Sequence, residues 1–597
     1  MSYYENGCLN CKPVPIKVKY RNLGENERLY DDVAFDGVTK IVRAEYAPKE
    51  YIGKGNPYVE AIPAPRNMYQ MIFDCQKDKE FHYNEMIHAS LSEQLEFLLS
   101  IQDLHYILSM QLTLESCFYA ALQGSYAHRQ ILESRSNNVE LTIGDAVFKT
   151  SRLMVGEASN AAVHGFSLIG PSGCGKTTAL HDLLAGLPQV IIHTHEDGSE
   201  SVQILYIVVN CPARSNFRAL YQAIGKAIDR ALGNTNAFYE NHLTLKKFDN
   251  LGAAGIKLQN IIEQLHIGMI ILDEFQNMSL DSSSENSMSS LLLLGNETKC
   301  VFGVVGTNYS KNILKEDPKN LKCYRRIQPE IRAGDYCQNR ETVYNIIRWL
   351  FKYQLFTPWI NLPTQDALAM AADSDGLITL SEEEQRGKEI MEALYDCSQG
   401  IADILISIFT FMNVDAIRNK GSVTVDADYV YTITDAYFST VHTIVGKMGN
   451  DKINLTEEEE KFQQQREKAY MELAQFCEEA QMKEIEINDI HNCIQNSNDS
   501  SPDVIISKAV SVIEPIVGSK YNDTTVRKHV KHVVSKLMSN NEPLDVDKVI
   551  QLASARILNS RTSDARSDYS PAKAEARIYE TDTNNLNEIF AHSESVK

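Results

Sequence analysis

At 597 residues the chain is too long for one hydrophobic core, and ordinary domain sizes divide it into roughly three to five domains. An apolar fraction of 43% and a charged fraction of 23% are those of a soluble globular protein, and no run of about 18 apolar residues offers a membrane span. The net charge of −21 excludes a chain that coats itself in nucleic acid, but not a local basic surface, because screening confines exposed charges to about 10 Å.

The start, Met1-Ser2-Tyr3-Tyr4-Glu5, lacks the basic and apolar stretches of a signal peptide. Cys8 and Cys11 make one C-x₂-C pair, which is half a zinc site without a second pair. The twelve cysteines are otherwise scattered, a pattern of reduced thiols in a cytoplasmic protein. Residues 1 to about 70 are rich in Tyr, Pro and Gly and read as an irregular arm or a small strand-containing module. Residues 79–135 read as helical, with Leu91, Leu95, Leu98 and Leu99 on one face. Short apolar runs then alternate with helical segments: Phe166–Ile169, Ile204–Val209, Met269–Leu272 and Val301–Val305. These predict buried parallel strands in an α/β domain. From about 340 to 445 helices dominate, as in Val343–Phe351 and Ile401–Phe411. Glu457–Glu460 open a charged helix or linker, and a polar tail follows Ser560.

Gly170-Pro171-Ser172-Gly173-Cys174-Gly175-Lys176-Thr177 matches G-x₄-G-K-[ST], and Thr178 continues it. A strand enters the loop and a helix leaves it. Glycines let successive N–H groups point at a β-phosphate, and the helix aims its positive end at the same anion. Lys176 can reach the β- and γ-phosphates of ATP, and the Thr177 hydroxyl can ligate Mg²⁺. About 100 residues later, the apolar strand Ile270-Ile271-Leu272 ends in Asp273 and Glu274. Charges at the end of a buried strand are tolerable at the edge where α/β sheets bind ligands. Asp273 would hold the Mg²⁺ shell and Glu274 would polarise the attacking water.

The two motifs together indicate a P-loop ATPase of the AAA+ type: a parallel sheet flanked by helices, with a helical lid, an N-terminal extension and a helical C-terminal region. In that arrangement Thr307 or Asn308, at the end of Val304-Val305-Gly306, takes the sensor-1 position. Arg325 or Arg326 stands where an arginine finger belongs. A finger acts on the neighbouring subunit's γ-phosphate and is worth about 10³–10⁵ in rate, so it implies an oligomer with nucleotide at its interfaces. Two adjacent arginines on a loop are also commonly just solvated. Ser398–Asp403 carries no sensor-2 arginine, which suits slow, interface-activated hydrolysis.

The run Leu272-Asp273-Glu274-Phe275-Gln276-Asn277 resembles the D-E-I-Q-[HN] strand end of the TnsC/TniB family, AAA+ regulators of DNA transposition in Tn-seven-like elements. Asn56-Pro57-Tyr58-Val59-Glu60-Ala61-Ile62-Pro63 looks like a TnsC N-terminal motif, and Leu394–Ile404, with Ser398-Gln399-Gly400, looks like its lid segment. The resemblance is good over about 155–420 and patchy before it. It implies a bacterial, DNA-associated regulator that oligomerises on double-stranded target DNA as a ring or helical filament. Such a protein links a TnsD/TniQ-like target selector to TnsA/TnsB-like transposase subunits and is reset by ATP hydrolysis. The implied layout is 1–75 an arm or selector-binding module, 76–140 a helical extension, 141–340 the ATPase domain, 341–445 the lid, 446–560 a helical module, and 561–597 a flexible, possible transposase-binding tail. In the tail, Ile578, Leu586, Ile589 and Phe590 are isolated apolar anchors of the kind that fold on a partner.

DNA would need basic groups. Arg214 and Arg218, and Thr244 with Lys246 and Lys247, are candidates, with a solvated helix face as the competing reading. Val526–Leu537 forms an amphipathic helix with a basic face, read as part of a small bundle before a DNA contact. A helicase loader or replication initiator and a non-DNA ATP-switched interaction protein remain the alternative functions.

Overall fold

A computed structural model describes residues 15–24, 27–30, 41–127, 129, 131–133, 139–143, 146–150, 153–155, 163–212, 217–245, 251–278, 294–311, 321–373, 379–419, 423–447, 456–495, 502–517, 523–539 and 546–559. Cys8, Cys11, Arg214, Lys246, Lys247 and the tail after 560 lie outside these residues. The chain divides into two compact units: residues 1–89 with 96–471, and residues 90–95 with 472–597.

The larger unit is built on five parallel strands: β1 (Phe166–Ile169), β2 (Tyr206–Asn210), β3 (Met269–Asp273), β4 (Val301–Gly306) and β5 (Glu330–Arg332). Their order in the sheet is β5-β1-β4-β3-β2. Every residue of β1 and β3 is buried, which explains why both are mainly apolar, Ser167 and the terminal Asp273 apart, and do not alternate. The two-residue period is still present, because it sorts side chains between two faces. Ile270 and Leu272 of β3 face one core with α3 (Phe217–Ala231) and α4 (Leu251–Leu265). Met269 and Ile271 face the other, with α1 (Ser109–Ala127) and α2 (Lys176–Ala185). The result is a three-layer α/β/α domain, as the strand pattern predicts.

The N-terminal region contributes to that second core. Asn56 caps the short helix Pro57–Glu60, and Tyr58, Val59, Ala61 and Ile62 are all buried with α1 and the sheet. Ile41–Arg43 pairs in parallel with Val190–Thr194, which pairs antiparallel with Glu200–Ile204. None of these three strands reads clearly in the sequence.

The lid follows from α5 (Arg340–Leu350), α6 (Glu382–Ser398), α7 (Ala402–Arg418) and α8 (Ala427–Phe438). A capping box between Ser381 and Glu384 starts α6. Gln399 and Gly400 end it with positive φ. A side chain at Gly400 would meet the Cys337 carbonyl oxygen at 2.0 Å, so only glycine fits this turn. A helix α9 (Thr456–Gln495) comes next. In the smaller unit, α10 (Pro502–Val517), α11 (Asp523–Ser539) and α12 (Val546–Asn559) pack as three helices. The stripe Val526, Val530, Val533, Val534 and Leu537 of α11 is buried among them, in keeping with the bundle reading.

One ion pair fastens the N-terminal region to the phosphate-loop helix. The Arg66 guanidinium is fully buried, pairs with Glu115 at 3.2 Å, and donates to the Asp182 carbonyl near the end of α2 at 2.6 Å. A cation there also complements the negative end of the helix. Removing Glu115 leaves the buried Arg66 with only the partly exposed Asp74 carboxylate (3.4 Å), so Glu115→Ala should destabilise the larger unit by about 3 kcal/mol. Glu115→Gln, which keeps an acceptor oxygen, should cost less. Urea unfolding midpoints of the two variants measure the difference.

Candidate active site

The loop between β1 and α2 turns where the parallel strands end. The Gly170 N–H donates to the Gly306 carbonyl at the end of β4 (3.1 Å). Gly173 and Gly175 have φ of 74° and 85°, values that glycine adopts without steric penalty, and the loop needs both to curl its N–H groups inward. A side chain at Gly170 would come within 2.6 Å of the Ala333 Cβ. Cys174 is buried, and the neighbouring Cys337 thiol and Lys176 push its thiol below the usual range. Lys176 is buried, and its Nζ donates to the loop's own Pro171 carbonyl (2.6 Å). Thr177 and Thr178 are exposed at the start of α2.

Asp273 ends β3 with 4% exposure. Burial raises its carboxyl above the usual carboxylate range, opposed by a bond from the Glu274 N–H (2.9 Å) and by Lys176. Glu274 is exposed and left-handed (φ 53°). A non-glycine residue in that region stores about 1–3 kcal/mol of strain, a feature common at functional sites. Gln276 donates to the Glu274 carboxylate, and its Oε1 accepts from the Thr307 N–H (3.1 Å). It therefore ties the end of β3 to the end of β4. Asn308 is half-buried in the turn after β4, where its carbonyl accepts from the Lys311 N–H (3.1 Å).

The loop from Ser172 to Thr178 and the Glu274 side chain open on a cavity of about 840 Å³, lined also by residues of α1, α5 and the lid. The volume suits a nucleotide. Tyr106, Leu108, Ile346 and Trp349 give part of the wall an apolar character suited to a nucleobase; the Tyr106 and Trp349 rings are 5.3 Å apart. The residues present fit an Mg²⁺–nucleotide: a donor-rich loop, a lysine, a threonine hydroxyl, and a carboxylate pair at the next strand but one.

Residues 165–314 match the protein family described as AAA domain. The chain carries an AAA+ domain. No curated protein matches the chain. Among solved structures it is similar to Cdc6p from Pyrobaculum aerophilum, at 17% identity and a TM-score of 0.24, over 43% of this chain and 56% of that one. It is also similar to the S. cerevisiae Hsp104–ADP complex, at 11% identity and a TM-score of 0.22, over 67% of this chain and 46% of that one. The chain thus spans about half the length of these solved structures, and likenesses so distant carry no argument about function.

Within the AAA+ domain, Gly170–Thr178, Asp273, Glu274, Thr307 and Asn308 gather where β1, β3 and β4 end. Arg325 and Arg326 do not line this cavity. Arg325 is exposed; Arg326 is half-buried, its carbonyl accepts from the Gly165 N–H (2.7 Å), and its guanidinium reaches the Val163 carbonyl (3.4 Å). Arg218 is half-buried on α3, and Thr244 is exposed with its hydroxyl on the Glu240 carbonyl (2.7 Å). Sequence reasoning missed Asp403 and Arg466. The Asp403 N–H donates to the Gly173 carbonyl (3.2 Å), and its carboxylate pairs with Arg466 of α9 (2.9 Å), which also lines the cavity. The only sequence signal was the Gln399-Gly400 turn, which marks a helix end without saying what the next residues touch.

Lys176 is the cation best placed for the phosphates. Lys176→Ala should remove saturable binding of a fluorescent ATP analogue up to millimolar concentration, with an unchanged circular dichroism spectrum.

Proposed function

We propose that this chain is an ATP-driven switch that assembles on duplex DNA and regulates transposition. What carries the ATPase part is the convergence of Lys176, Thr177 and Glu274 on one cavity, with the Asp273 carboxylate bonded to the Glu274 N–H behind it. In this reading Lys176 binds the β- and γ-phosphates, and Thr177 and Asp273 hold Mg²⁺, which supplies charge neutralisation when bound. Glu274 orients the attacking water, and Gln276 keeps its carboxylate in place. Asn308 polarises the same water from the adjacent strand end.

The transposition part rests on the resemblance to the TnsC/TniB family, whose quoted segments all touch the core or the site. Tyr58, Val59, Ala61 and Ile62 of the first segment are buried against the sheet, Gln276 bridges two strand ends, and Ser398-Gln399-Gly400 delivers Asp403 to the phosphate loop. Arg325 is the better finger candidate of the pair, because it is exposed and Arg326 is used within its own chain. A finger from the next subunit makes nucleotide part of the assembly contact, so ATP favours the oligomer and hydrolysis releases it. Double-stranded DNA, a TnsD/TniQ-like selector and TnsA/TnsB-like transposase subunits are the partners of that oligomer.

The test is gel filtration and electron microscopy with a non-hydrolysed ATP analogue, with and without duplex DNA. Rings or filaments that need both ligands support the proposal. Oligomers that form equally well without DNA favour a protein-interaction switch, and capture of a hexameric helicase favours a loader. In the same assay Glu274→Gln should bind ATP, fail to hydrolyse it, and lengthen the lifetime of the DNA complex at least about ten-fold. An unchanged lifetime would sink release by hydrolysis.

A further inference from the structure

One buried carboxylate joins the turn after β4 to the helix Leu321–Arg326, which carries Arg325. Glu330 opens β5, and its side chain is 6% exposed. Its Oε1 accepts from Lys311 Nζ (2.9 Å) and from Arg332 Nε (3.0 Å), and its Oε2 accepts from the Tyr324 hydroxyl (2.5 Å). Burial works against its charge, but the bonds from Tyr324, Lys311 and Arg332 outweigh burial and hold its carboxyl down to about 2. Glu330 is therefore an anion at any working pH, and charge-assisted bonds of this kind are the strong ones.

The partners of Glu330 belong to two different parts of the proposed machinery. Lys311 closes the turn after β4: its N–H donates to the Asn308 carbonyl (3.1 Å), and the Ser310 N–H donates to the Thr307 carbonyl (2.9 Å). Ser310 is fully buried, with its Oγ 3.5 Å from Gln276 Oε1. That oxygen also takes the Thr307 N–H, and Gln276 holds the Glu274 carboxylate through its amide nitrogen. A side chain at Gly306 would come within 2.3 Å of Ser310 Oγ and 2.8 Å of Gln276 Oε1, so the turn is packed directly on Gln276. On the other side, Tyr324 is half-buried and Arg325 is exposed. Neighbouring residues of a helix point about 100° apart, so a Tyr324 hydroxyl held inward fixes the rotation of this short helix and turns Arg325 outward. The Arg326 carbonyl, on the Gly165 N–H, fastens the end of the same helix to the start of β1.

We propose that Glu330 is a positioning residue: through Tyr324 it sets the direction in which Arg325 reaches a neighbouring subunit, and through Lys311 it ties that direction to the sensor-1 turn of the subunit's own site. This rests on the arginine-finger reading above. Glu330, Tyr324 and Lys311 do not line the cavity. A side chain that only aims a finger serves the neighbour's reaction and not its own, and loss of aim lowers the rate without altering the pocket that binds ATP.

The experiment reads steady-state hydrolysis of Mg²⁺–ATP by the full chain on duplex DNA. Tyr324→Phe removes one hydroxyl and leaves the Lys311–Glu330 pair in place, and Glu330→Gln removes the charge. Both should lower kcat about ten-fold at an unchanged KM, the loss expected for one hydrogen bond to a charged group. Each variant is then mixed, before ATP is added, with Glu274→Gln subunits, which cannot hydrolyse ATP but carry an intact Arg325. In an equimolar mixture about half of the variant's sites face a sound finger, so the rate per variant subunit should rise about five-fold. Subunits carrying both Glu274→Gln and Tyr324→Phe should give no such rise. Arg325→Ala is the reference for a lost finger and should be slowed and rescued in the same way. If Arg325→Ala is rescued but Tyr324→Phe keeps its kcat, raises KM, or stays slow beside Glu274→Gln subunits, the proposal is overturned and the finger reading stands. If Arg325→Ala is neither slowed nor rescued, the finger reading falls and this proposal with it.

Discussion

The hydrogen bond from the Gly170 N–H to the Gly306 carbonyl is small, but it marks the constraint on which the site depends. Parallel strands all end at the same edge. The order β5-β1-β4-β3-β2 puts β4 between β1 and β3, so three strand ends meet within one loop's reach. The phosphate loop follows β1, the carboxylates follow β3, and the Thr307–Asn308 turn follows β4. Exchange of any two of these strands would separate groups that must act on one phosphate. The buried faces of the strands hold that order, because Ile270 and Leu272 are committed to one core and Met269 and Ile271 to the other.

That arrangement also explains which parts of the molecule were legible in the sequence. Four of the five central strands could be read because burial on both faces makes a run of four to six mostly apolar residues. β5 could not, since only Ile331 of its three residues is apolar. The phosphate loop and the Asp273–Glu274 pair carry chemistry in contiguous residues, so their types and spacing suffice. Asp403 and Arg466 are different. They are distant in sequence, ordinary in type, and significant only because the Gly400 turn aims α7 at the loop. Arg325 and Arg326 are an intermediate case. Their order in the chain suggested a finger, but only the fold separates an exposed arginine from one that holds Val163 and Gly165 in place.

The charges around the loop raise a further point. The charged lining of the cavity is balanced: Lys77, Lys176, Arg230 and Arg466 stand against Asp103, Asp182, Glu274 and Asp403. A cavity whose cations are matched by carboxylates has little net charge to offer a free polyanion and suits one that arrives with a divalent cation. Thr177 and Asp273 are the groups that would take such a cation, so the balanced lining and the proposed Mg²⁺ site belong to one electrostatic arrangement.

The same balance favours a switch over a motor. Arg466 is already neutralised by Asp403, and Lys176 rests on its own loop through the Pro171 carbonyl. Nucleotide must therefore replace existing bonds instead of filling unsatisfied ones. Net binding energy is then the difference between two well-bonded arrangements of the same loop. Such a difference is small, and contacts from elsewhere can tip it; in the proposed assembly a neighbouring subunit's arginine is one such contact. Repeated mechanical work needs a large free-energy drop at each hydrolysis step, whereas a timed release needs only that the two arrangements lie close in energy and exchange slowly.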